Sequence, residues 1–263
     1  MATLRAEVAS HDRVSDPGAA PEIFLLRLRA PEITQKVRPG QFVMLKVAAG
    51  LDPLLARPFS VHGVEGGDLL ILYRLAGKGT RLLSQVKEGQ ELTLWGPLGR
   101  GFDLNVKKPV LVAGGMGLAP LRFAAAALAK QGREVSFLCG LPGGDGFSEL
   151  CESLERWAGS QVNFSLATED GSLGVMGLVT ALMPEALAWG DAVLACGPIP
   201  MLGAVARLCA ERGVPCQVSL EAPMACGVGA CLGCAIPAAG GGYLRACQEG
   251  PVMDAAQVDW ERL

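Results

Sequence analysis

The 263-residue sequence predicts an antiparallel β-barrel, then a doubly wound parallel α/β unit, then a small cysteine-rich C-terminal domain. Three observations carry that prediction. Up to about Leu104, short apolar runs are separated by turn residues at the spacing of an all-β barrel or sandwich. From Pro109, buried-strand runs alternate with helical stretches over short links, the pattern of a parallel sheet with covering helices. After Leu220, glycines and cysteines crowd together. The expected boundaries are 1–104, 105–219 and 220–263.

In the first region, strands are expected over 22–29, 41–47, 59–64, 69–75 and 91–95. Glu65-Gly66-Gly67-Asp68 is a hairpin turn between two of them. Gly77-Lys78-Gly79-Thr80 opens a short helix over 80–86, with Thr80 as its N-cap. Glycines leading into a helix start present free N–H groups to an anion, and Arg57 in Arg57-Pro58-Phe59-Ser60 adds a bidentate partner for phosphate.

In the second region, Pro109-Val110-Leu111-Val112-Ala113 is a buried strand. Gly114-Gly115-Met116-Gly117 follows and leads into a helix that carries Pro120 in its first turn and ends near Gln131, before Gly132. Further strands are expected over 134–139, 162–167, 191–196 and 216–220, and helices over 147–157, 178–187 and 199–212. Ligands bind such sheets at the C-terminal strand ends. The loops there are Gly114 to Pro120, Thr168-Glu169-Asp170-Gly171-Ser172 and Cys196-Gly197-Pro198. The glycine loop is not a strict G-x-G-x-x-G, so alone it equally describes a tight strand-to-helix turn. If its loop meets the adenosine ribose, the pair Glu169-Asp170 would accept from a 2′-OH and repel a 2′-phosphate, favouring NADH over NADPH; the same pair equally describes an ordinary solvated turn.

The third region holds Cys226, Cys231, Cys234 and Cys247, spaced C-x4-C-x2-C-x12-C. The first three match the plant-type [2Fe–2S] spacing, with a distant fourth ligand. Gly227, Gly229 and Gly233 let the loop bring backbone N–H groups close to sulfur. Structural zinc also uses four thiolates, but usually as paired arms around a longer spacer. Disulfides lack a secretory segment to support them. The other five cysteines, Cys139, Cys151, Cys196, Cys209 and Cys216, read as small buried apolar side chains, with Cys196 set apart by its strand-end position.

Composition bounds the rest. Half of the residues are hydrophobic and 19% charged, enough apolar content for a sizeable core. A net charge of −3 and few aromatics argue against nucleic acid or an anionic membrane surface as partner. The start lacks the apolar core of a signal peptide, and no apolar run reaches transmembrane length. Nine cysteines without export indicate a reducing compartment, so a cytoplasmic location is expected.

In this order, Arg57 to Ser60, Gly79-Thr80, the glycine loop and Cys196-Gly197-Pro198 resemble the ferredoxin–NADP reductase superfamily. The tail, Met224-Ala225-Cys226-Gly227-Val228-Gly229-Ala230-Cys231-Leu232-Gly233-Cys234 with Cys247 before Gln248-Glu249-Gly250-Pro251-Val252, is similar to the iron–sulfur electron-transfer subunits of class B dihydroorotate dehydrogenases. The resemblance implies FAD, one [2Fe–2S] cluster and NAD(H). It also implies a separate FMN-containing dihydroorotate dehydrogenase catalytic subunit, in a heterotetramer of two copies of each chain.

By position, Arg57 and Thr80 would hold FAD phosphates and Ser60 would lie near the isoalloxazine. Pro58, Phe59, Tyr73, Arg74 and Gly79 would complete the flavin site. Phe59 departs from the aliphatic residue common at that position in the family. Gly114, Gly115, Gly117, Cys196, Gly197 and Pro198 would take the nicotinamide nucleotide, with Glu221 near the flavin–nicotinamide contact.

Hydride transfer needs positioning more than acid–base chemistry, and no catalytic residue is assigned. Only two histidines are present, His11 and His62, with no nucleophile–base set around either. A second enzyme reading keeps the cofactors but changes the partner to a hydrogenase, a glutamate-synthase-like enzyme or an oxygenase. A third, a redox sensor, calls for a DNA- or protein-binding helix and finds no basic patch.

Overall fold

In the computed structural model, residues 2–18, 20–47, 50, 52–147, 150–152 and 159–263 are described. The first sheet holds β1 (Ala2–Arg13), β2 (Ile23–Arg29), β3 (Phe42–Lys46), β4 (Arg57–Ser60), β5 (Gly63–Glu65), β6 (Asp68–Arg74) and β7 (Glu91–Leu98). It is antiparallel, in the order β4-β3-β7-β1-β2-β6-β5. The sheet curls into a half-barrel whose two edge strands, β4 and β5, are joined by a short link. There the Val61 N–H donates to the Gln41 carbonyl at 3.0 Å, and the His62 N–H to the Leu70 carbonyl at 2.9 Å. Inward-facing Ala6, Val8, Leu26, Leu28, Val43, Leu45, Ile71 and Leu94 are fully buried and fill the interior.

The strand expected over 59–64 is two strands, because the chain turns at Val61 and His62 to reach β6. The hairpin at Gly66-Gly67 is present, both glycines at positive φ (+58° and +92°), as a two-residue turn between right-twisted strands requires. Strand β1 occupies the middle of the sheet, between β7 and β2.

Helix α1 (Pro31–Thr34) is a single turn and α2 (Lys78–Leu83) follows β6. Thr80 is the third residue of α2, not its N-cap, which is Gly77. Its hydroxyl reaches back to accept from the N–H groups of Ala76 (2.8 Å) and Gly77 (3.0 Å).

The second sheet begins with β8 (Pro109–Gly114), β9 (Val135–Leu141), β10 (Val162–Thr168) and β11 (Val175–Met176). It continues with β12 (Ala192–Cys196) and β13 (Cys216–Ser219). In the tail, β14 (Ala235–Pro237) and β15 (Tyr243–Arg245) form a small hairpin, and β16 (Val252–Asp254) returns to the large sheet. The order is β11-β10-β9-β8-β12-β13-β16, parallel except for β16, which runs antiparallel to β13.

Helix α3 (Leu118–Lys130) packs on one face of this sheet; α4 (Met183–Trp189) and α5 (Ile199–Arg212) pack on the other. The helix expected over 178–187 starts as a 3-10 turn, Val179–Leu182, before α4. Of the helix expected over 147–157, 150–152 are helical, while 148–149 and 153–157 lie outside the described residues. No helix among the described residues is long and apolar enough to cross a membrane.

Candidate functional site

The chain proceeds from β8 outward through β9, β10 and β11, then crosses back to place β12 on the other side of β8. The switch point of the sheet therefore lies between β8 and β12, where open α/β sheets bind ligands. Both glycine-bearing loops meet there. A Cβ on Gly117 would overlap the Cys196 carbonyl, one on Gly114 would meet the Pro198 ring at 2.8 Å, and one on Gly197 would come within 3.0 Å of Gly114 Cα. Gly115 has φ +52° and open space around it. Gly114, Gly117 and Gly197 thus let backbone pack on backbone, while Gly115 turns the loop.

Cys196 ends β12 beside Ser219 of β13, and it is buried. Burial, then the negative charge of Glu221, pushes its thiol up to about 12, so it stays protonated at neutral pH.

At the end of β10, Asp170 accepts from the Ser172 N–H at 2.9 Å and hydroxyl at 2.6 Å, contacts that hold its carboxyl below the usual range. A Cβ on Gly143 would sit 2.5 Å from its Oδ2. Asp170 is engaged in building the turn, and Glu169 is the exposed carboxylate beside it.

On the barrel, Arg57 lies along the start of α2. A Cβ at Gly79 would meet Arg57 Nε at 2.9 Å, so the glycine makes room for the guanidinium. Among the described residues, the Leu55 carbonyl is the acceptor for Arg57, and no carboxylate lies within ion-pair distance. Donors of the fork are left for an anion, which fits a phosphate-bearing group.

Pro58, Ser60 and Arg74 are at least partly exposed. Tyr73 is 3% exposed, and its ring packs edge-on to Phe59 at 5.7 Å. Its hydroxyl donates to His11 Nε2 at 2.8 Å, while His11 Nδ1–H donates to the Val86 carbonyl. Phe59 and Tyr73 are thus barrel core, set in the paired strands β4 and β6.

The four tail cysteines come together as two pairs. Cys234 and Cys247 sulfurs are 3.2 Å apart, and Cys226 and Cys231 are the other two, in the loop whose Gly229 N–H donates to Cys247. Among the described residues no three His, Cys, Asp or Glu side chains converge on a single ion position. Two pairs suit a two-iron cluster, which takes two cysteines on each iron. Backbone N–H groups point at the sulfurs: Val228 at Cys226 (3.4 Å), Gly233 at Cys231 (3.5 Å) and Gly229 at Cys247 (3.1 Å). Donation by Val228, then Cys231, brings the Cys226 thiol down to about 6. Burial, then the Cys234 thiol, pushes Cys247 up to about 12. Cys226 is predisposed to thiolate, and Cys234 and Cys247 are shielded from water.

Gly227 (φ +69°) sets the loop on the barrel, where a Cβ would meet Met44 at 2.6 Å and Leu98 at 3.2 Å. Met44 pairs with Pro58 across β3 and β4. One strand therefore separates the cysteine loop from Arg57-Pro58-Phe59-Ser60.

Sequence reasoning missed three features. His62 donates from Nδ1 to the Ala119 carbonyl at 3.0 Å, and Glu65 bonds both Arg27 (2.9 Å) and Arg122 (2.8 Å), joining barrel to α3. Arg245 is hydrogen-bonded to Glu249 and, at 3.1 Å, to the Gly229 carbonyl. These pairings cross elements, and only the four-residue interval of Arg245 and Glu249 left a trace in the sequence.

Residues 221–259 match the iron–sulfur cluster binding domain of dihydroorotate dehydrogenase B. The chain is 41% identical over 251 residues to the dihydroorotate dehydrogenase B (NAD(+)) electron transfer subunit of Desulforamulus reducens, covering 92% of this chain and 94% of that one. It is 40% identical over 228 residues to that of Clostridium acetobutylicum (85% and 87%) and 36% over 261 residues to a homolog from Aquifex aeolicus (98% and 99%).

Among solved structures, an NADH-dependent reduced ferredoxin–NADP oxidoreductase superposes with a TM-score of 0.84 at 26% identity, covering 98% of this chain and 91% of that one. A ferredoxin–NADP+ reductase from Neisseria gonorrhoeae superposes at 0.65 and 18% identity (80% and 92%), which shows the shared fold. By these likenesses over nearly its full length, the chain belongs to the family of dihydroorotate dehydrogenase B (NAD(+)) electron transfer subunits.

Proposed function

We propose that this chain is the subunit that carries electrons between NAD(H) and a dihydroorotate-oxidising partner, with FAD on region 1–104, the nicotinamide nucleotide on 105–219 and a [2Fe–2S] cluster on 220–263. The observation that carries this reading is adjacency. Gly227 of the cysteine loop rests on Met44, the strand partner of Pro58. Cys196 at the switch point lies beside Ser219, two residues before Glu221 opens the tail. When bound, a flavin exchanges a hydride for single electrons, and a [2Fe–2S] cluster relays electrons one at a time.

The chain's own work is positioning. Arg57 and the N–H groups around Gly79 and Thr80 hold the flavin pyrophosphate. The Ser60 hydroxyl and the backbone of Pro58, Phe59, Tyr73 and Arg74 orient the ring system. Gly114, Gly115 and Gly117 admit the dinucleotide close to the backbone, and Cys196-Gly197-Pro198 frames the nicotinamide. Glu169 accepts from a free 2′-OH and disfavours a 2′-phosphate, so NADH is preferred. Cys226, Cys231, Cys234 and Cys247 ligate the cluster.

Leu232, between two ligands, is 62% exposed at φ +60°, a conformation disfavoured for a branched side chain. With Val228 it forms an apolar contact for an FMN-containing subunit, in a cytoplasmic assembly of two copies of each chain. Neither nucleic acid nor a membrane is a partner.

The test is steady-state NAD+ reduction by dihydroorotate with this chain alone, the FMN subunit alone and the two mixed. Turnover is expected only in the mixture. A mixture no better than its parts would favour another partner: a hydrogenase, a glutamate-synthase-like enzyme or an oxygenase.

A further inference from the structure

We propose that Arg245, locked to Glu249, is the positioning residue that sets the cluster's reduction potential. It does so by fixing the Gly229 amide on the Cys247 sulfur and placing a cation beside the Cys234–Cys247 pair. The proposal rests on the cluster reading given above.

Arg245 is the knot of the tail. Its carbonyl accepts from the N–H groups of Gln248 (3.0 Å), Glu249 (2.9 Å) and Gly250 (3.2 Å), forming the turn that carries Cys247. Its own N–H donates to Glu249 Oε2 at 2.8 Å. The guanidinium bonds the same carboxylate through Nε at 3.0 Å and through Nη2. That fork leaves Nη1 to hold the Gly229 carbonyl at 3.1 Å, while the Gly229 N–H donates to Cys247 Sγ at 3.1 Å. One arginine therefore ties the Cys247 turn to the loop that carries Cys226 and Cys231. Arg245 stands two residues before Cys247, whose sulfur is 3.2 Å from that of Cys234.

The close fit is specific to Gly229: at φ +79°, a Cβ there would sit 3.3 Å from Arg245 Nη1 and 3.2 Å from Gln248 Oε1. A four-thiolate cluster gains one negative charge when it accepts an electron, with no bond made or broken. N–H···S bonds and nearby cations favour that state, and anions oppose it. Arg245 and Glu249 therefore pull the potential in opposite directions.

The experiment is a dithionite titration of the purified holoprotein, followed by the paramagnetic signal of the reduced cluster, after iron and sulfide analysis of each variant. Arg245→Gln leaves Glu249 uncompensated and is expected to lower the reduction equilibrium about tenfold, or about 59 mV for one electron. Glu249→Gln leaves the cation and is expected to raise it by a similar factor. Arg245→Lys keeps the charge but loses the fork, so its shift is smaller than that of Arg245→Gln.

Shifts of opposite sign support the proposal. A full cluster with all three variants within twofold of wild type, or with both neutral variants shifted the same way, overturns it. If Arg245→Gln fails to hold the cluster, the rise in Glu249→Gln decides alone. A wild-type chain without two irons and two sulfides would overturn the cluster reading and the proposal with it.

Discussion

His62 shows how one side chain can make the fold sensitive to acid. It is buried at the meeting of β5 and α3, and burial, then the charge of Arg122, holds its pKa at about 3 against 6.5 in an open chain. Between those values the unfolded chain binds a proton that the folded one does not. Stability is therefore fully present above about pH 6.5 and is lost as pH falls towards 3. At pH 5 the loss from this group is about 2 kcal/mol, roughly 1.4 kcal/mol for each of one and a half pH units. Comparing urea midpoints at pH 7.5 and 5.0 in wild type and His62→Asn checks this. The variant, which keeps a donor for the Ala119 carbonyl, is expected to lose less on acidification. Equal losses would remove His62 as the cause. A lone histidine between Val61 and Gly63 gave no sign of this, because the carbonyl it meets is 57 residues away.

At the scale of elements, legibility followed how local the cause is. Gly66-Gly67 was readable because a two-residue hairpin needs positive φ at both positions. The cysteine spacing was readable because three of the four cysteines fall within nine consecutive residues. Thr80 was placed three residues off as a cap, since Gly77 starts α2 and a threonine serves equally well reaching back from the third position. Strand β1 passed unread although Leu4, Ala6 and Val8 alternate with polar residues, because Ala6 and Val8 are small and the alternation is short. Tyr73 reads as polar and sits in the barrel, because His11, 62 residues away, satisfies its hydroxyl.

The β4–α2 junction carries the second prediction of this kind. Arg57→Ala removes one charge-assisted contact to a phosphate, about 1.5–3 kcal/mol, and is expected to weaken FAD binding about ten- to a hundredfold without unfolding the chain. Gly79→Ala is expected to act in the same direction, since its Cβ would displace the guanidinium. Flavin fluorescence titration measures both, and unchanged affinity in Arg57→Ala would take Arg57 out of the site.

At the scale of the molecule, the tail is part of the nucleotide sheet as well as a carrier of cysteines. Strand β16 pairs with β13, and the Leu220 N–H donates to the Pro251 carbonyl at 2.9 Å. Val252 packs with the core on the α3 side, while Met253, Ala255 and Val258 pack with the core on the other side. All four are under 9% exposed. Burying the larger three contributes about 1.5–3 kcal/mol each, so losing the segment costs on the order of 5–9 kcal/mol, comparable with the whole stability of a domain.

Two ways of losing the cluster should therefore differ. Cys231→Ser changes an exposed loop residue and leaves β16 in place. That variant is expected to lose iron while keeping FAD, NADH binding and a cooperative melt close to wild type. Ending the chain at Leu220 also removes the cluster but bares the edge of β13 and both cores, and is expected to give insoluble or unfolded protein. Thermal melts and sedimentation of the two proteins measure the difference. A truncated chain as stable as Cys231→Ser would mean that β16 contributes little, and that the tail is an appendage of the sheet rather than its seventh strand.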